Sequence, residues 1–257
     1  MSGFLFEQII FGPIRSRRLG ISLGINLLPT HKKHCTFNCV YCECGHTPPP
    51  DPNVQFPKRN EVKAALEQKL ASMKEKDAML DSITYAGNGE PTIHPHFEGI
   101  VDDTIALRNK YFPDTVISVL TNASKVGAPG VADALLKIEQ PIMKLDAGTN
   151  EMFQKLNNPR INISLKQIIE NMMVLKGKAI IQTLFIRGTS GDTRIDNTTE
   201  EEVSAWLNHL EKLQPRLVMI YPIARETPVE TLEKIDSKEL MEIAGRVEEL
   251  GIETEVY

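Results

Sequence analysis

Ser82-Ile-Thr-Tyr-Ala-Gly-Asn-Gly-Glu-Pro91 is a short apolar run that ends on a glycine-rich turn. Apolar and aromatic residues over so few positions read as a buried strand, and two glycines and a proline stop it. The amphipathic run Pro95–Tyr111 follows, which makes the whole stretch one strand–turn–helix unit. Outward from it the unit recurs. Strands are expected over Ser22–Leu28, Ser82–Ala86, Thr115–Thr121, Ile142–Leu145, Ala179–Ile186 and Leu217–Tyr221. Helices are expected from an Asn60 cap to about Leu80, then over Pro95–Tyr111, Gly130–Glu139, Thr149–Leu156 and Ser164–Leu175. Thr199 with Glu202, and Asp236 with Glu239, have capping-box spacing ahead of two more helices, and Gly251 is placed to stop the last. Such alternation marks parallel βα units. It predicts an α/β fold, a partial (β/α)6 TIM-like barrel of parallel strands, as one domain over residues 1–257. Residues 1–60 hold the first strand and a proline-rich connector, 61–230 the remaining units, and 231–257 a C-terminal helix and tail.

A barrel places its chemistry where the strands end, and the distinctive polar residues of this chain gather there. The second strand runs into Gly87-Asn88-Gly89-Glu90, the third into Thr121-Asn122, and the fourth carries Lys144 and Asp146. Gln182 and Thr183 alternate across the fifth, so one of them at most points inward. Arg225 lies just beyond the sixth. His94 and His96 flank a proline at a helix start and read as loop or cap residues; Met172 and Met173 read as core.

The composition is that of a folded protein: 257 residues, 41% hydrophobic and 25% charged, enough to bury a large core. No apolar stretch approaches the roughly 20 residues that cross a bilayer. Met1–Gly12 has no basic region ahead of an apolar block, so a cytoplasmic protein with no membrane attachment is expected. Net charge is −5 and unevenly spread. Residues 1–60 hold seven Lys/Arg against three Asp/Glu, whereas residues 196–257 hold six against fifteen. Arg15, Arg17, Arg18, Lys32 and Lys33 form the positive end, which either attracts an anionic substrate or counterbalances a negative metal centre. His46 through Pro57 is proline-rich and reads as a stiff, exposed connector.

All four cysteines fall between positions 35 and 44, which excludes long-range disulfides and points to metal. Cys35-Thr-Phe-Asn-Cys39-Val-Tyr-Cys42 offers three thiolates in one loop, one fewer than a cubane cluster normally takes, so one iron is left for an outside ligand. A zinc site on all four cysteines is the rival, although zinc knuckles usually join two separated pairs.

The cysteine spacing, with Tyr41 inside it, resembles the signature of the radical S-adenosylmethionine (SAM) superfamily. The resemblance implies a [4Fe–4S] cluster on Cys35, Cys39 and Cys42. SAM is implied as second cofactor, cleaved reductively to a 5′-deoxyadenosyl radical that abstracts a substrate hydrogen. Cys44 lies outside the pattern. Gly87, Asn88, Gly89 and Glu90 resemble the motif that holds the methionine ammonium, with Glu90 facing the cation. Thr121 and Asn122 resemble the polar pair of the next strand, and Lys144 and Asp146 match the cofactor carboxylate and ribose. Tyr41 gives the site an apolar flank, Gln182 is a further cofactor-binding candidate, and Arg225 is a candidate to meet the cofactor carboxylate, with a substrate anion or solvent as the alternatives.

At finer grain, Gly12-Pro-Ile-Arg-Ser-Arg-Arg-Leu-Gly20 through Pro29, Ala86-Gly-Asn-Gly-Glu-Pro-Thr92, Lys144-Leu-Asp-Ala-Gly148 and Ile181-Gln-Thr-Leu-Phe185 resemble the group of iron–sulfur oxidoreductases related to wyosine synthases. Those synthases use a second cysteine-bound cluster, for which this chain has no cysteines. The implied partners are SAM, an electron donor such as flavodoxin or ferredoxin, and a substrate that is a small molecule, a protein or a tRNA. An activase of glycyl-radical type, a tRNA-base-modifying enzyme and a non-enzymatic iron–sulfur or zinc scaffold are the alternatives.

Overall fold

The strand expected at Ser82 forms over Ser82–Tyr85 and is buried at every position. It is the third strand, β3, of an eight-stranded sheet in a computed structural model that describes residues 4–49, 51–225 and 227–257. The other members are β1 (Ile10–Ser16), β2 (Gly20–Ile25), β4 (Val116–Thr121), β5 (Gln140–Lys144), β6 (Ile180–Leu184), β9 (Leu217–Tyr221) and β11 (Thr254–Val256). They are ordered β1-β2-β3-β4-β5-β6-β9-β11, and every neighbouring pair except β1–β2 is parallel. The sheet curls into a half-barrel, as the alternation of strands and helices predicts.

Side-chain period decides which face is which. Leu23, Ile25, Ile83, Tyr85, Ile117, Val119, Val218 and Ile220 point outward into the large core. There they meet helices such as α1 (Arg59–Glu75), through Val62, Leu66 and Leu70, and α2 (Phe97–Tyr111), through Ile100 and Val101. The alternate residues face the hollow of the half-barrel. There Ser22 and Thr84, on the neighbouring strands β2 and β3, hydrogen-bond at 2.8 Å, and Ile142, Ile180 and Met219 form a separate small apolar cluster, its floor. The remaining helices are α3 (Val131–Lys137), α4 (Asn150–Met152), α5 (Leu165–Met173), α6 (Glu200–Leu213) and α7 (Ser237–Glu248).

Several expectations need correction. Asn60 lies inside α1, whose cap is Lys58, and the helix stops at Glu75 rather than near Leu80. Ala179–Ile186 is two strands, because the chain leaves the barrel after Leu184. β7 (Ile186–Ser190) pairs instead with β8 (Thr193–Asp196) and β10 (Leu232–Lys234) in a small antiparallel sheet. The helix expected over Thr149–Leu156 is one turn of α4 running into a π-helical turn, Phe153–Asn157. Both capping boxes are half-formed. Thr199 and Asp236 accept the expected backbone N–H groups. Glu202, however, takes the Gly148 and Thr149 N–H groups, and Glu239 pairs with Arg187. Met172 is buried but Met173 is 38% exposed. Of the proline-rich connector, Pro50 lies outside the described residues, as do Met1–Gly3 of the N-terminal segment; within the connector Thr47 is buried.

Candidate active site at the strand ends

The cysteine loop leaves the end of β2 and is clamped on two sides. On one, the His34 N–H donates to Asn88 O at 2.8 Å and the Glu90 N–H donates to His34 O, an isolated parallel bridge between His34 and Gly89. On the other, Phe37 bridges Pro159, the Asn38 N–H donates to Asn157 O at 3.1 Å, and the Val40 N–H to Leu156 O at 3.0 Å. The Arg160 N–H donates to Thr36 O at 2.8 Å. The loop is therefore held by backbone from both the glycine turn after β3 and the π-helical turn after β5.

Gly89 is required by that approach. Its φ is +140°, and a Cβ there would stand 2.0 Å from His34 O and 3.1 Å from the Cys35 Cβ. Gly87, at φ +146°, leaves room for Asn26, whose Oδ1 would lie 2.4 Å from an added Cβ. Asn26 Nδ2 is buried without a hydrogen-bond partner among the described residues.

Each cysteine sulfur meets a donor. The Phe37 N–H donates to Cys35 Sγ at 3.4 Å, Asn122 Nδ2 lies 3.7 Å from the same sulfur, and Asn157 Nδ2 donates to Cys39 Sγ at 3.5 Å. Lys33 is 3% exposed, donates to Gly45 O at 2.7 Å and stands within electrostatic reach of all three sulfurs. Burial works to lower its pKa, but the charges of Cys42, Cys35 and Cys39 more than offset this and hold the ammonium above its ordinary value. A hydrogen bond from the Cys44 thiol, with Lys33 beside it, draws Cys42 down to about 5, while burial pushes Cys35 up to about 12. Among the described residues no three His, Cys, Asp or Glu side chains close around one metal ion. A cubane cluster takes each thiolate on a different iron, and a buried cation facing three sulfurs complements its negative charge; the residues fit a cluster.

The sequence-derived residues divide into two groups joined at this loop. Glu90, 2% exposed, accepts from the Thr92 N–H at 3.1 Å, Thr92 Oγ1 at 2.5 Å, Thr121 Oγ1 at 2.7 Å and the Asn122 N–H at 2.7 Å. Burial holds its pKa up despite those donors. The carboxylate is turned into the protein and fully engaged. It braces the ends of β3 and β4, and what the turn offers a ligand is backbone. Asn88 is likewise internal, bonding Phe6 O and Pro29 O at 2.9 Å each. Asn122 Nδ2 donates to Thr36 Oγ1 at 2.9 Å, which completes a chain from Glu90 to the cysteine loop.

The second group stands at the ends of β5, β6 and β9. The Tyr41 hydroxyl donates to Asp146 and accepts from Lys144 Nζ at 2.5 Å; Lys144 also lies 3.5 Å from Asp146 and 4.9 Å from the Tyr41 ring centre. Asp146 further accepts from Asn157 Nδ2 at 2.9 Å and the Leu184 N–H at 3.0 Å, so its oxygens too are spoken for. Burial pushes the Tyr41 phenol well above its usual range and Asp146 reinforces this, so it stays a proton donor. Gln182, 8% exposed, faces the hollow beside Tyr221, while Thr183 turns away and donates to Leu145 O. Arg225 is not drawn in. It is 68% exposed and paired at 2.7 Å with Glu43, on the outer side of the cysteine loop.

Sequence reading missed Asn157 and Thr36, which carry no local signal because their importance lies in contacts over more than 80 positions. The sequence offers Lys33 only as one of a basic run that could counterbalance a metal centre; the structure singles it out as the member of that run that faces the three sulfurs.

The model of the radical SAM superfamily matches residues 30–204, which span the clamped loop, both strand-end turns and the Lys144–Asp146 network. The chain belongs to the radical SAM superfamily. A UPF0026 protein of Helicobacter pylori is 30% identical over 185 residues, 71% of this chain. The chain spans 58% of the length of that relative. Several solved structures share the fold. A radical SAM methyltransferase from Sphaerobacter thermophilus superposes with a TM-score of 0.63 at 13% identity, covering 92% of this chain and 65% of that one. SuiB of Streptococcus suis, solved bound to S-adenosylmethionine, gives 0.61 at 14% identity, covering 91% and 50%. Superfamily members are generally enzymes that bind a [4Fe–4S] cluster and SAM. No helix among the described residues is long and apolar enough to cross a membrane.

Proposed function

We propose that this chain is a radical SAM enzyme whose Cys35, Cys39 and Cys42 hold one [4Fe–4S] cluster with an iron left open to SAM, and that it abstracts hydrogen from a substrate with an anionic or polar character. When bound, cluster and SAM together supply an electron and a carbon–sulfur bond whose cleavage gives a 5′-deoxyadenosyl radical. The reading is carried by the two-sided clamp of the cysteine loop against the Gly87–Glu90 turn, which fixes three sulfurs beside backbone that only glycine can supply.

The protein's own groups then have distinct tasks. Lys33 and the N–H donors of Phe37 and Asn157 balance the charge on the sulfurs. Backbone of Gly87–Gly89 receives the methionine end of SAM, and Glu90 with Thr121 and Asn122 keeps that turn in place. Lys144, oriented by Tyr41 and Asp146, offers a positive charge to the SAM carboxylate. Gln182 and Tyr221 line the hollow where the substrate stands, and the apolar floor below them keeps water from the radical. Arg225, paired with Glu43, belongs to the rim that an electron donor of flavodoxin or ferredoxin type would approach. We infer one domain acting in the cytoplasm.

Anaerobic reconstitution, dithionite reduction and incubation with SAM test the reading by production of 5′-deoxyadenosine and methionine. A chain fully loaded with iron and sulfide, reduced, and yet silent for both products would refute it. Cys35→Ala is expected to lose cluster and products together.

A further inference from the structure

Arg18 sits in the turn between β1 and β2, yet its guanidinium carbon lies 4.6 Å from the centre of the Tyr221 ring at the end of β9. The tip of the hairpin thus crosses the open side of the half-barrel. Its neighbour Leu19 packs on the floor formed by Ile142, Ile180 and Met219, and Leu19 O accepts from Ser82 Oγ at 2.9 Å. Lys144, Gln182 and Tyr221 follow the three floor residues by two positions on the same strands, so they form the layer above. Arg18 reaches up to that layer.

Lys144 has a carboxylate partner there, Asp146. Arg18 has none. Its Nη1 is buried with no hydrogen-bond partner, and no ion pair engages the guanidinium among the described residues. The residue as a whole is half-buried. A partly desolvated cation without a counter-charge is costly, and one aromatic face offsets only part of that cost. A guanidinium held over a ring with free N–H edges matches the two oxygens of a carboxylate or phosphate. The turns assigned to SAM belong to β3 and β4, four and three places along the sheet from β9, and Lys144, assigned to the SAM carboxylate, ends β5, two places away.

We propose that Arg18, seated over Tyr221, anchors an oxyanion of the substrate in the hollow of the half-barrel. This rests on the reading that the hollow is the reaction chamber. The test measures binding of sodium phosphate, and separately of sodium acetate, to the anaerobically reconstituted full chain by calorimetry at fixed ionic strength. Wild type, Arg18→Gln, Arg18→Lys and the exposed control Arg15→Gln are compared, with SAM affinity taken on the same samples by equilibrium dialysis. Wild type is expected to saturate with at least one oxyanion. Arg18→Gln should bind it about tenfold or more weakly, Arg18→Lys should fall between because it keeps the charge and loses the fork, and Arg15→Gln should match wild type. SAM affinity should be unchanged in all four. Preference for phosphate assigns a phosphate ester, and preference for acetate a carboxylate. The proposal is overturned if wild type saturates with neither anion, if Arg18→Gln binds as wild type does, or if Arg18→Gln loses SAM affinity. Should Arg18→Gln not fold, Arg18→Lys carries the comparison, and oxyanion binding equal to wild type in that variant overturns the proposal. Wild type that binds oxyanion but not SAM would instead sink the cofactor reading and leave the anchor standing.

Discussion

Gly89 shows how much one absent atom decides. Alanine at this position meets His34 O and must also hold a φ of +140°, a conformation closed to side chains. Gly89→Ala is expected to leave the sheet folded, with unchanged far-ultraviolet circular dichroism, but to cut iron bound per chain severalfold after reconstitution. Normal loading would show that the His34–Gly89 bridge is dispensable. Tyr41→Phe tests the second group. It removes one donor from a buried carboxylate and one acceptor from Lys144, a loss of about 1–3 kcal/mol in unfolding free energy. Iron content should stay at the wild-type level, since the phenol hydrogen-bonds to Asp146 and Lys144 and not to a sulfur. The positions of these residues at strand ends were legible in the sequence, through glycine spacing and polar residues after apolar runs. Which of them face a ligand was not: Glu90, Asn88 and Asp146 are all committed to internal partners that only the folded chain brings near.

At the scale of elements, Arg108 near the end of α2 joins three pieces of chain. It donates to Thr115 O at 2.5 Å ahead of β4 and pairs at 3.0 Å with Glu139 ahead of β5, whose other oxygen accepts the Ile117 N–H at 2.9 Å. Partial burial raises the Glu139 pKa, but the Ile117 N–H and Arg108 outweigh it and hold the carboxyl below its usual range. A depressed folded-state pKa means that this stabilisation is present above the ordinary carboxylate value and is lost as pH falls through the lower one. Wild type should therefore melt above Glu139→Gln near neutral pH, with the gap closing in acid; a gap that is independent of pH would contradict the assignment. Six of the seven strands in parallel pairing were readable because burial on one or both faces writes apolar runs into the sequence; β11, three residues within the stretch read as a C-terminal helix and tail, was not. β1, β7, β8 and β10 were not, because these antiparallel strands are largely half-buried or exposed and carry no continuous apolar run. The split at Phe185, where one apolar run serves two sheets, has no signature in periodicity at all.

Across the whole molecule, the single tryptophan reports on cooperativity. Trp206 is 1% exposed on α6, stacks edgewise on Phe185 at 5.3 Å and donates to Leu145 O at 3.1 Å, tying a helix to the ends of β5 and β6. Its emission should be blue-shifted, and in urea its transition should coincide with that of the circular dichroism signal, as expected of one cooperative unit. Two separated midpoints would show that the β5–β9 half opens independently. The clamp on the cysteine loop has a consequence for how the protein matures. Its two jaws, residues 88–90 and 156–160, are both made after the cysteines, so a nascent chain carries its thiols unheld until Arg160 has been synthesised and the π-helical turn has docked. Iron delivered earlier would find a loose peptide, and iron delivered later a finished cradle, so on the proposed cluster reading insertion follows the synthesis of Arg160 and the docking of that turn.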